Sequence, residues 1–222
     1  MKIVCISDTH CQLSKVQLPY GDILVHAGDL TYQGTIQETS KELFQLSSQL
    51  RNFTHVILIE GNHDWLGARN SSLMNQMCAD NGITLLRDSE IVIDGVKFYG
   101  SPWQPEFGRW AFNLRRGQEL RDKWNLIPND TNVLITHGPP MSILDGVEKF
   151  IPGIGEFEIE HVGCMDLHNR VMSHEMKDLK LHVFGHIHQA YGKKEFGTKT
   201  FINPSICTES YKPTNAPIVF EL

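Results

Sequence analysis

The sequence predicts an α/β fold, a sandwich of two β-sheets with helices on the outside. Three observations predict it. Five short runs are aliphatic or β-branched and lack the polar alternation of a half-exposed strand: "KIVCI" at 2–6, "DILVHAG" at 22–28, "HVILIEGN" at 55–62, "NVLITHG" at 132–138 and "LHVFGHIH" at 181–188. Strands of that kind are covered on both faces. Segments with helical spacing separate several of them. The composition, 41% hydrophobic and 21% charged over 222 residues, is that of an ordinary globular chain able to bury a sizeable core, so a single domain over 1–222 is the simplest division.

The elements between the runs follow in order. In 34–50, Thr35 and Glu38 have capping-box spacing, and Leu43, Leu46 and Leu50 share one helical face. A second helix over 71–82 closes at Asn81-Gly82. "EIVIDGVKFYG" at 90–100 is a hairpin signal, two apolar runs joined by Asp94-Gly95. Residues 166–179 read as a helix before the fifth run. "TFINPSIC" and "APIVFEL" supply two more strands. The longest irregular stretch, Gly100 to Gln118, carries Trp103, Phe107, Trp110 and Phe112 with Arg109, Arg115 and Arg116. Long loops in compact domains often carry function. The aromatics there either pack or form a wall that stacks a nucleobase, with one of the arginines near phosphate.

Charge and cysteine usage narrow the classes. A formal net charge of -6 gives no basic footprint for DNA or RNA. Cys5, Cys11, Cys78, Cys164 and Cys207 are odd in number and form no C-x-x-C pair, as expected of reduced thiols in a cytoplasmic protein. No secretory signal pattern precedes the first strand, and no run is long enough to span a bilayer.

All five runs end in metal-ligand residue types. The first is followed by Asp8 and His10, the second by Gly28-Asp29 and the third by Gly61-Asn62-His63-Asp64. The fourth leads into His137-Gly138 and the fifth into Gly185-His186-Ile187-His188. Each has an ordinary reading alone, as a turn, a cap or a surface histidine. Five at the carboxyl ends of five strands, where α/β sheets bind ligands, point to one site. Alternate residues of an extended segment point the same way, so Asp8 and His10 are expected to reach one ion.

The set "DTH", "GD", "GNHD", "HG" and "GHIH", in that order and spacing over nearly the whole chain, resembles the calcineurin-like metallophosphoesterase superfamily. "YGSPWQPEFGRWAFNLRRG", "HVGCMDL" and "PIVFEL" resemble its metallophosphoesterase-domain-containing branch, whose bacterial relatives include cyclic-nucleotide phosphodiesterases. Some animal members of that branch carry glycine where this chain has His186. The resemblance implies a four-layer αββα sandwich of two mixed β-sheets and two divalent metal ions. Asp8, His10 and His188 would hold one ion, Asn62, His137 and His186 the other, and Asp29 would bridge them. Mixed nitrogen and oxygen donors suit Mn, Fe or Zn. The implied reaction is hydrolysis of a small phosphodiester or nucleotide by a metal-bridging hydroxide, with His63 as general acid and Asn62 and His63 contacting substrate. The competing readings are a phosphomonoesterase or nuclease, and a nucleotide-binding or scaffolding protein with low turnover. Asp64 is expected to orient its neighbours and His26 to pack behind the site. His55, His161, His168, His174 and His182 have no ligand spacing.

Overall fold

Side chains of a strand alternate between its two faces. In the first strand, Ile3 and Cys5 enter one apolar layer and Val4 and Ile6 another, and all four are fully buried. The structure is a computed structural model that describes residues 1–153 and 155–222. In chain order the strands are β1 (Lys2–Ile6), β2 (Ile23–Ala27), β3 (His55–Ile59), β4 (Thr84–Leu85), β5 (Ser89–Ile93), β6 (Val96–Ser101), β7 (Gln104–Pro105), β8 (Asn113–Leu114), β9 (Val133–Thr136), β10 (Gly146–Ile151), β11 (Glu156–His161), β12 (Leu181–Val183), β13 (Gly192–Phe196), β14 (Lys199–Asn203) and β15 (Ile218–Glu221). The α-helices are α1 (Ile36–Ser47), α2 (Trp65–Arg69), α3 (Ser71–Asp80), α4 (Gln118–Trp124) and α5 (Met165–Met172).

Two large mixed sheets result. One has the order β15-β1-β2-β3-β4, the other β13-β14-β12-β9-β6-β5. β1 to β4 run parallel, with β15 antiparallel at the edge. In the second sheet β14, β12, β9 and β6 are parallel, flanked by antiparallel β13 and β5.

The inner faces meet through Ile3, Val25 and Ile57 on one side and Phe98, Val133 and Val183 on the other. The outer face of the first sheet buries Val4, Leu24 and Leu58 under Leu43 and Leu46 of α1 and Met74 and Cys78 of α3. The outer face of the second buries Tyr99, Leu134 and Phe201 under Trp124 of α4 and Leu167 and Val171 of α5. These are the four layers of the expected αββα sandwich. Burying each large aliphatic side chain contributes about 1.5–3 kcal/mol.

Local signals explain several boundaries. The α1 capping box forms: Glu38 N–H donates to Thr35 Oγ1 at 3.2 Å, and Thr35 N–H donates to the Glu38 carboxylate at 3.4 Å. The Asp94-Gly95 turn joins β5 and β6 as expected. The helix expected over 166–179 is shorter. α5 ends at Met172, and Ser173 leaves the helical region with ψ 155 before a short 3₁₀ turn. The β10–β11 hairpin was not foreseen, because 146–161 mixes Glu, Lys, Gly and Pro among its apolar residues.

Candidate metal centre

The carboxyl ends of β1, β2, β3, β9 and β12 converge, and the chain after each supplies site residues. Asp8, His10, Asp29, Asn62, His63 and His137 are all buried. The expected reason for the Asp8–His10 spacing needs correction. β1 stops at Ile6, and Asp8 and His10 have φ of 50° and 42°, so strand alternation does not align them. A left-handed turn does, held by Asp8 N–H on the Gly28 carbonyl at 2.9 Å and His10 N–H on the Asp29 carbonyl at 3.1 Å. Asp29 (56°) and His186 (69°) share that backbone region. For non-glycine residues it costs roughly 1 kcal/mol or more each and clusters at functional sites.

The imidazoles are oriented from behind. His10 Nδ1 lies 3.2 Å from the Thr31 carbonyl, His137 Nδ1 3.0 Å from that of Ala27, and His188 Nδ1 3.0 Å from that of Thr208. A carbonyl only accepts, so each Nδ1 carries the hydrogen and each Nε2 faces inward, the arrangement that orients metal-binding histidines. There the Nε2 atoms of His10 and His188 are 3.3 Å apart. Asp8 Oδ1 is 3.2 Å from His188 Nε2, and Asp29 Oδ2 is 3.8 Å from His10 Nε2. On the other side His137 Nε2 is 2.9 Å from Asn62 Oδ1 and 3.4 Å from Asp29 Oδ2. A proton on one imidazole satisfies one such pair; a cation satisfies every donor atom of a cluster. Three groups have ligand atoms within 4.8 Å of one another: Asp8, His10 and His188; His10, Asp29 and His63; Asp8, Asp29 and His137. The His186 ring lies 5.1 Å from that of His137.

Burial and charge pull the imidazoles of the cluster in two directions. Burial lowers His186 to about 3 and His10 to about 4, so both are neutral near pH 7. Burial opposes ionisation of Asp8 and Asp29, but the surrounding imidazoles outweigh it and hold both below the usual carboxylate range. Burial also opposes the charge on His137, yet Asp29 beside it pushes its pKa up to about 9. A metal bound there displaces that proton.

The remaining carboxylate oxygens are occupied. Asp8 Oδ2 accepts from Ser205 Oγ at 2.8 Å, and Asp29 Oδ1 from His63 N–H at 2.8 Å, leaving Asp29 Oδ2 between the two halves. Asp64 accepts from the N–H groups of Gly61 (2.8 Å) and Thr31 (2.9 Å) and from the Thr31 hydroxyl (2.7 Å), tying two site loops together. Gly61 and Gly185 are required here: a Cβ would lie 2.3 Å from Asp29 Oδ1 and 2.1 Å from Asp8 Oδ2 respectively. Behind Asp8 and His10, His26 Nε2 meets Thr9 Oγ1 at 2.9 Å, a packing role as expected. His182 meets Thr136 Oγ1 and His161 meets Asp145, away from the cluster.

Sequence reasoning missed the support under the third loop. Glu60 is fully buried, and Arg87 grips it with two bonds of 2.7 Å. Breaking a buried pair by removing one partner leaves an uncompensated charge. Arg87→Leu is expected to cost about 3–5 kcal/mol in urea unfolding; a loss under about 1 kcal/mol would contradict this role.

A cavity of about 470 Å³ opens onto the cluster. The aromatic loop divides into a packed pair and a pair that faces the cavity. Trp103 and Phe112 pack edge to face at 5.6 Å, with Trp103 Nε1–H on Asp88. Trp110 packs on His63 with centroids 4.3 Å apart and ring planes tilted by 32°, and Phe107 packs against His186 at 5.0 Å; both line the cavity. Of the three arginines, Arg116 lines it, while Arg115 pairs with Glu119 on the surface. Tyr211, also unforeseen, closes the His10 side, its ring 4.8 Å from that of His10.

These features define a metallophosphoesterase. A model of the calcineurin-like phosphoesterase family matches residues 1–190, a span that contains every residue of the cluster. The chain belongs to that family. It is 41% identical over 242 residues to Metallophosphoesterase domain-containing protein 1 of Homo sapiens, an alignment covering 100% of this chain and 71% of that protein. It is 36% identical over 234 residues to a UPF0046 protein of Caenorhabditis elegans, covering 99% of this chain and 74% of the other. Among solved structures, TT1561 of Thermus thermophilus superposes with a TM-score of 0.53 at 14% identity, over 92% of this chain and 88% of that one, a likeness of fold. Among the described residues no helix is long and apolar enough to cross a membrane.

Proposed function

We propose that this single-domain chain is a two-metal phosphodiesterase acting on small phosphodiesters, with cyclic nucleotides the first class to try. The observation that carries the reading is the convergence of inward-facing imidazole nitrogens on Asp8 and Asp29, with their outer nitrogens tied to carbonyls. Asp8, His10 and His188 form one candidate site, Asn62, His137 and His186 the other, with Asp29 between. The donor set suits Mn, Fe or Zn. Bound there, two divalent cations supply Lewis acidity at the phosphoryl group and lower the pKa of the attacking water.

The chain's own groups do the rest. Asn62 turns Oδ1 toward His137, which leaves its amide N–H₂ to donate to a phosphoryl oxygen. His63 has its Nδ1–H on the Tyr32 carbonyl at 2.7 Å, so Nε2 is the free ring atom, and it serves as general acid only from the doubly protonated ring, passing its proton to the leaving oxygen and returning to the Nδ1–H form. Packing against Trp110 restrains that ring. Phe107 and Trp110 offer faces to a base or other flat group.

The test is turnover of bis-nitrophenyl phosphate against nitrophenyl phosphate, by protein stripped of metal and reloaded with Mn²⁺. Metal-dependent turnover favouring the diester is expected. Preference for the monoester, or no turnover of either with metal bound, would refute the reading.

A further inference from the structure

The cavity above the cluster has an uneven charge distribution. Its walls are apolar, with Phe107, Trp110, Val147 and Val162. Histidines aside, Arg116 is the one basic side chain among the described lining residues. Its guanidinium uses two of its five N–H donors on backbone carbonyls and keeps its charge: Nη1 donates to that of Gly163 and Nη2 to that of Val162, each at 2.6 Å. Besides Asp29 in the cluster, the acidic lining residues are Glu106 and Glu209. Glu106 precedes Phe107, the residue packed on His186. Glu209 follows Thr208, whose carbonyl holds His188, and Gln189 Nε2 donates to its side chain. Both glutamates are exposed residues on the lining of the cavity.

We propose that Glu106 and Glu209 are specificity-determining residues that restrict the site to phosphoesters whose organic arm carries no second anionic group. The inference rests on the phosphoesterase reading and narrows its substrate class. With one phosphoryl group drawn to the cluster, the arm runs along the apolar wall. A second phosphate or a carboxylate on that arm meets two like charges against the single guanidinium of Arg116, which two carbonyls hold in place. A neutral arm with amino hydrogens, or a cationic one, meets two acceptors. Nucleoside polyphosphates, oligonucleotides and phosphorylated acids are selected against; neutral nucleoside and amino-alcohol esters are favoured. Each partly solvated charge pair changes affinity by about three- to tenfold at moderate salt.

The test titrates Mn²⁺-loaded protein calorimetrically with three phosphomonoesters of similar size: phosphoethanolamine (cationic arm), propyl phosphate (neutral) and phosphoglycolate (anionic). Affinity should fall in that order over about thirtyfold. In the Glu106→Gln/Glu209→Gln double variant the span should shrink to about threefold, with an unchanged melting temperature. Equal affinity for the neutral and anionic probes, an undiminished span in the variant, or no binding of any probe would overturn the proposal. Binding is read without turnover. A charge ladder in a protein that hydrolyses nothing sinks the enzymatic reading alone, and diester hydrolysis without a ladder sinks this one alone.

Discussion

Asp29→Asn is expected to lower metal-dependent diester turnover by about a thousandfold in protein that still folds, as read by circular dichroism. The two oxygens of this carboxylate have separate duties. Oδ1 accepts the His63 N–H at 2.8 Å, a bond that the asparagine carbonyl retains. Oδ2 lies 3.8 Å from His10 Nε2 and 3.4 Å from His137 Nε2, between the two candidate metal sites. An amide N–H₂ there donates to imidazole lone pairs and cannot bridge cations. The variant keeps the loop and loses the charge that joins the two halves. Several kcal/mol of transition-state stabilisation corresponds to about three powers of ten in rate. Turnover of the reloaded variant within about tenfold of the parent would remove Asp29 from the bridging position.

His63→Gln should act differently. Removing a general acid costs about 10²–10⁴ in rate when the leaving oxygen needs its proton. An alkyl leaving group needs it; a nitrophenolate, a far weaker base, departs nearly unaided. The variant is expected to lose about a hundredfold or more on a cyclic nucleotide and less than about tenfold on bis-nitrophenyl phosphate. The contrast rests on geometry, since the Tyr32 carbonyl holds Nδ1 and Trp110 packs against the ring. Equal losses on both substrates would assign His63 to binding rather than proton transfer.

The layers were legible because the period-two strands carry Val, Ile and Leu on both faces, as in β1, where Ile3 and Val4 enter different apolar layers. The cluster was legible because each of its side chains lies within five residues of a strand end, beside a glycine at four of the five positions that name the site: Gly28, Gly61, Gly138 and Gly185. What holds the cluster was not. Thr31, Ala27, Tyr32 and Thr208 contribute backbone carbonyls, which every residue type possesses. The left-handed backbone at Asp8 and His10 leaves no mark in residue identity, so the spacing suggested a strand where the chain turns. Glu60 and Arg87 are 27 positions apart, with no periodicity to link them. The role of Arg116 depends on two carbonyls 46 and 47 residues away.

The central claim is that these side chains form two metal sites. Its most direct test is the stoichiometry of Mn²⁺ bound to stripped protein, by calorimetric titration with elemental analysis of the product, in parallel with His186→Ala and His188→Ala. The account predicts two ions per chain in the parent and loss of one tight site in each variant, with the fold retained. Fewer than two ions in the parent, or two equally tight ions in both variants, would contradict it.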